Sequence, residues 1–176
     1  MRNAAFFLTG LALLVIQANL YRLLDLVGHP GLIPSLVLPL ILFMGVHEYS
    51  IVRGAVIAFA LGYTTDVIGV APIGLYTFTY VAVFLLARAA GVRLAAQTRT
   101  MQIALALAFT LVHSVMILVL LAIFGRDAYV PRALYRLALP HVLATGAVAP
   151  LVFTLAERVH AAALTSPRPD AGGGRA

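Results

Sequence analysis

Six apolar stretches follow one another through this chain, and its charged residues gather at their ends and in the connections between them. A helix needs about 20 apolar residues to cross the roughly 30 Å of a bilayer's hydrocarbon layer. The chain is 62% hydrophobic and only 10% charged, whereas soluble domains run nearer about half apolar and about a quarter charged. It is therefore read as an integral membrane protein whose whole length is accounted for by one helical bundle. The net charge of +6 comes from twelve arginines and no lysine. Because these arginines flank apolar runs, membrane topology explains them and a nucleic-acid partner is not implied. The absence of cysteine excludes disulfides, thiolate metal sites and thiol nucleophiles.

The expected spans are Ala4 to Leu24, Leu32 to Val46, Ile51 to Gly69, Leu75 to Ala90, Met101 to Phe124 and Leu134 to Ala156. The first is read as a retained anchor, since it is long for a signal peptide and no small-residue cleavage site follows. The second is short and carries Pro34 and Pro39, so it is kinked or crosses only in part. The last contains Pro140, Gly146 and Pro150. A bundle of about six helices over residues 1–164 is expected, with a polar tail, TSPRPDAGGGRA, over 165–176 that is too rich in Gly and Pro to order alone.

Arginine counts orient the bundle. With the N-terminus inside, Arg2, Arg53, Arg88, Arg93, Arg99, Arg158, Arg168 and Arg175 are cytoplasmic, and Arg22, Arg126, Arg132 and Arg136 lie outside, eight against four. Both termini are then cytoplasmic. The segment Gly125 to Arg136 puts three arginines on the minority side; either it meets something acidic there, or the second span does not cross and the count becomes odd.

The most informative local pattern runs from Arg53 to Arg88. Gly54, Ala58, Gly62 and Asp66 recur every fourth residue, so on a helix they form one small-residue face ending in an acid. Such a face admits another helix at close range, either one of this bundle or one belonging to a partner. Asp66 lies near the C-terminal end of its helix, just before Gly69, where a carboxylate opposes the macrodipole. Three readings stand for it: an interfacial acid in water, a buried acid paired with Arg22, Arg132 or Arg136, or a proton-coupling group. The third lacks a relay of polar groups. Tyr63, Tyr76, Tyr80 and His113 are candidates to line a ligand cavity, and the tyrosines equally fit an interfacial aromatic belt. His141 beside Pro140 reads as repacking around a kink. His47 and Glu48 read as a polar turn, because two potential ligands fall short of the three or four zinc requires. No paired carboxylates, Ser-His-Asp spacing, HExxH or phosphate-cradling glycine loop occurs, so catalysis is not expected and neither a cofactor nor a metal is implied.

The proline-led second span IPSLVLPLILFMG, the pattern G-x(7)-G-x(3)-D within RGAVIAFALGYTTD, the P-x-G turn at Pro72 to Gly74 and the proline-bearing APLVFTLAERV together resemble the rod-shape-determining MreD family. The resemblance extends over roughly Ala4 to Arg158 and is most specific from Gly54 to Gly74; many members carry a leucine run where this chain has GYTTD, and the tail has no counterpart. It implies a fold similar to the substrate-binding subunits of energy-coupling-factor transporters. It also implies a non-catalytic inner-membrane scaffold of lateral peptidoglycan synthesis, paired with MreC and working beside MreB, RodA and a class B penicillin-binding protein. Gly54, Gly62, Asp66, Pro72 and Gly74 would form its packing and docking core. The competing expectation on the same fold is a vitamin- or small-ligand-binding transporter subunit using the Tyr63, Tyr76, Tyr80 and His113 pocket. A proton-linked carrier would require internal repeats, and the two halves show no such similarity.

Overall fold

A computed structural model describes residues 2–26, 33–47, 50–69, 72–90, 98–124 and 132–165. Its elements are all helical: α1 (Arg2–Leu26), α2 (Val37–Val46), α3 (Ile51–Ile68), α4 (Leu75–Ala89), α5 (Arg99–Phe124) and α6 (Arg132–Thr165). Segments within α1, α3, α5 and α6 are long and apolar enough to cross a membrane, whereas α2 and α4 are shorter. The expected polar tail falls outside the described residues except for Thr165, where α6 ends. The GRDAYVP part of the basic segment also lies outside them.

The shortest helix occupies the centre. All ten residues of α2 are buried, and Phe43 packs edge-on to Phe153 of α6 and stacks with Phe6 of α1, ring centroids 5.8 and 6.1 Å apart. Side chains apolar around the whole circumference suit a helix surrounded by other helices. Outward faces carry apolar residues too, such as Val56 and Phe59 on α3 or Val115 and Val119 on α5, as expected of surfaces that meet lipid.

Pro39 sits in the first turn of α2, where a missing N–H breaks no helical hydrogen bond. Residues 33–35 before it are non-helical. Such a stretch leaves backbone groups without helical partners, and in an apolar setting each must find one. Side chains of other helices supply them. Gln17 of α1 accepts from the Leu36 N–H at 2.9 Å, and Thr145 of α6 accepts from the Ser35 N–H at 3.0 Å. His141 of α6 bonds through its ring to the Ile33 carbonyl.

These contacts also show how far the second segment reaches. Ile33 meets His141 and Phe43 meets His160. Those partners stand 19 residues apart on α6, about 28 Å of axis at about 1.5 Å per residue. The short helix with its extended lead therefore traverses the bundle, although the helix alone covers only about half that length. Directions then alternate through all six elements. α1 runs antiparallel to α2, with Gln17 at its start and Phe6 near its end, and α6 runs parallel to it. α3 and α4 are antiparallel, Gly62 facing Thr77 and Gly54 facing Phe84. α5 runs against α6, as Gly146 meets Leu107 while His141 acts electrostatically on His113. Phe6 near the start of α1 and His160 near the end of α6 lie 6.2 Å apart, so these two helix ends are on one side of the bundle.

Since the chain has no cysteine, single cysteines can report sidedness directly. Ser50→Cys and Thr98→Cys are expected to react with an impermeant maleimide from the same side of sealed vesicles, and Pro72→Cys only from the other. Labelling of Ser50→Cys and Pro72→Cys from one side would contradict the alternating arrangement.

Candidate functional site

The most extensive helix pairing in the bundle is that of α3 with α4, and the small-residue face makes it. A Cβ added at Gly62 would lie 2.5 Å from the Thr77 Cα and 2.8 Å from its nitrogen, and one at Gly54 would run into the Phe84 ring. Ala58 is fully buried on the same face. Gly62 thus brings backbone against backbone, and the distance leaves no room for a methyl group.

That approach places Asp66 on the first turn of α4. Its Oδ2 accepts from the N–H groups of Gly74 and Thr77, each at 3.0 Å, and from the Thr77 hydroxyl at 2.6 Å; its Oδ1 accepts from the Tyr76 N–H at 2.9 Å. The Leu75 N–H turns back to the Pro72 carbonyl at 3.1 Å. Every backbone donor from Gly74 to Thr77, the set that a helix start leaves without partners, is therefore satisfied. An acid supplied from α3 does for α4 what an N-cap residue ordinarily does from within its own helix. Gly74 is the N-cap itself at φ 101°, in the left-handed region that glycine enters without penalty. Pro72 provides the carbonyl that closes the turn.

Asp66 is only 2% exposed, which separates it from the interfacial acid expected in water. Nor does an arginine partner it among the described residues: Arg22 is exposed, and the side chains of Arg132 and Arg136 lie outside what the structure describes. The conflict with the macrodipole of α3 also resolves. The charge rests on the positive N-terminal end of α4, which favours it. Thr77, which gives Asp66 both its N–H and its hydroxyl, escaped the sequence reading; its place three residues after Gly74, the N3 position of the helix, is the signal that points to it. Gly69 is the C-cap of α3, with extended geometry and no positive φ.

The residues expected to line a pocket divide. Tyr76, Tyr80 and His113 converge, with ring centroids 5.4 Å apart for Tyr80 and His113, 6.0 Å for Tyr76 and His113, and 5.9 Å for the two tyrosines. Tyr80 is fully buried and hydrogen-bonds with Ser35 and Thr65. Tyr63 is not among them. It lies on the outer face of α3, half exposed and stacked parallel to Phe59 at 6.5 Å, because it follows Gly62 by one position and so points about 100° away from the α4 contact.

At the end holding the start of α1 and the end of α6, His47 stacks on Phe43 with centroids 3.9 Å apart. Burial lowers its pKa from the ordinary histidine value, against a smaller upward pull from the Phe43 carbonyl and Glu157. Glu48 lies outside the described residues. Among those described, no three metal-ligating side chains come together.

Two substitutions test the α3–α4 clasp. Asp66→Ala leaves buried N–H groups without acceptors and is expected to cost on the order of 3 kcal/mol, read as a lower thermal midpoint in detergent. Gly62→Ala forces the helices apart and should lower the midpoint as well. Because both act on one contact, the double variant should fall short of the sum; strict additivity would mean the two residues do not share it.

A family model described as rod shape-determining protein MreD matches residues 1–159 of the chain. No curated protein and no solved structure shows significant similarity to it.

Proposed function

Because the chain belongs to the MreD family of rod shape-determining membrane proteins, we propose that it acts as a non-catalytic inner-membrane scaffold of lateral wall synthesis and pairs with the bitopic protein MreC. The observation that carries this reading is how the family-like residues from Gly54 to Gly74 are used. Asp66 spends both carboxylate oxygens on four donors of its own chain, and Gly62 and Gly54 are filled by α4. A group so committed is poorly placed to exchange protons or attack a substrate, and well placed to hold a rigid surface. The assembly would bring MreB, RodA and a class B penicillin-binding protein into indirect contact with the bundle. The end carrying Arg53, Arg88, Arg99 and Arg158 also holds the start of α1 and the end of α6, and the positive-inside rule would turn it to the cytoplasm.

With α4 seated on the glycine face, a partner helix would have to displace it to dock there. MreC is therefore assigned to an outer, apolar face of the bundle, where broad packing supplies the affinity and single hydrogen bonds add only about 0.6–2 kcal/mol. The Tyr76, Tyr80 and His113 cluster favours a second reading, a small-ligand-binding transporter subunit.

Affinity purification of the tagged chain from a rod-shaped bacterium separates the two. Recovery of MreC together with wall-synthesis proteins is the expected result, and the tagged chain should restore rod shape to cells depleted of their own MreD protein. Asp66→Ala should lose partner and bundle together, in proportion to the folded fraction. Recovery of ATP-binding subunits in place of MreC, or spherical cells despite normal expression, would overturn the scaffold reading.

A further inference from the structure

His113 is 3% exposed on α5 in the middle of the bundle, and among the described residues neither of its ring nitrogens has a hydrogen-bond partner. A buried imidazole carries one donor and one acceptor when neutral, and leaving both unsatisfied costs about 1–3 kcal/mol for each group. Its surroundings come from α3, α4, α6 and the non-helical stretch before α2. Tyr76 and Tyr80 lie against its ring, and Tyr80 continues to Ser35 and Thr65. His141 acts electrostatically on it from α6 and holds the Ile33 carbonyl, while Thr145 one turn further on holds the Ser35 N–H.

We infer that the His113, Tyr76 and Tyr80 cluster is a binding site for a small, uncharged hydrogen-bonding molecule, held by a ring nitrogen of His113. Among the described residues, charge is what the site lacks. Asp66 already accepts four hydrogen bonds, and no described arginine joins the cluster. An ion would therefore be buried without a counter-charge, at a cost well above that of a neutral occupant. Water is the smallest molecule of this class and a small polar solute the other source; either can donate to the unprotonated nitrogen or accept from the protonated one. This site does not depend on the scaffold reading, because it uses none of the surfaces a partner would cover.

The test uses the full wild-type chain, labelled with 15N-histidine, in lipid nanodiscs, with His113→Gln to assign the His113 resonances. Polarisation transfer from water to the His113 nitrogens, with no bound mass in native mass spectrometry, identifies water as the occupant. A stoichiometric non-lipid mass that survives denaturing extraction identifies a solute, and it should be lost in His113→Phe and retained at least in part in His113→Gln. Nitrogen shifts of a free imidazole, or couplings to a protein hydroxyl alone, with neither water transfer nor a bound mass, would overturn the proposal. The wild-type spectra decide this even if a variant fails to fold.

Discussion

A helix that begins inside an apolar bundle has no water to take up its first N–H groups, and the whole α3–α4 half of this protein is arranged around that difficulty. The Asp66 carboxylate accepts from the N–H groups of Gly74, Tyr76 and Thr77, which is possible only because Gly62 lets the Thr77 backbone come within van der Waals reach of α3. The turn at Pro72 to Gly74, the left-handed glycine and the small-residue face all follow from placing one acid over one helix start. In an apolar setting such an arrangement is worth more than its surface equivalent, since the alternative is an unsatisfied backbone.

The other half meets the same demand differently. α2 begins after a non-helical stretch, and Gln17, Thr145 and His141 reach in from α1 and α6 to take its backbone groups. The central helix is thereby locked to the first and last helices of the chain, while the clasp locks α3 to α4. Polar side chains that look isolated along the sequence act as interhelical ties. His141 beside Pro140 is one of these: repacking near the kink was expected, and its ring holds the start of α2. Among the described residues His113 alone keeps buried side-chain nitrogens without a hydrogen-bond partner, which is why it marks a site and not a tie.

For a protein of the MreD family this division of labour matters. The proposed scaffold role requires outer faces in fixed relative positions, and rigidity comes from ties of the kind seen at Asp66 and Gln17 more than from apolar contact, because lipid competes with apolar packing.

Composition and hydropathy by themselves determined the membrane class and the six helices, because the bilayer imposes length rules that act locally along the chain. The small-residue face of Gly54, Ala58, Gly62 and Asp66 was legible from spacing, and Pro72 and Gly74 were added to it by the family resemblance. What Asp66 does was not legible. Its position near the end of α3 suggested water or an arginine, and only the fold of the turn carries it onto the N-terminus of the next helix, where four donors converge. Likewise the two prolines of the second segment left its crossing open until contacts with His141 and His160 fixed its reach along α6. Tyr63 was separated from Tyr76 and Tyr80 by a rotation of one residue about α3. Partners that are distant in sequence and set by packing leave no periodic trace in the chain, and those are the features that the tertiary structure alone decided.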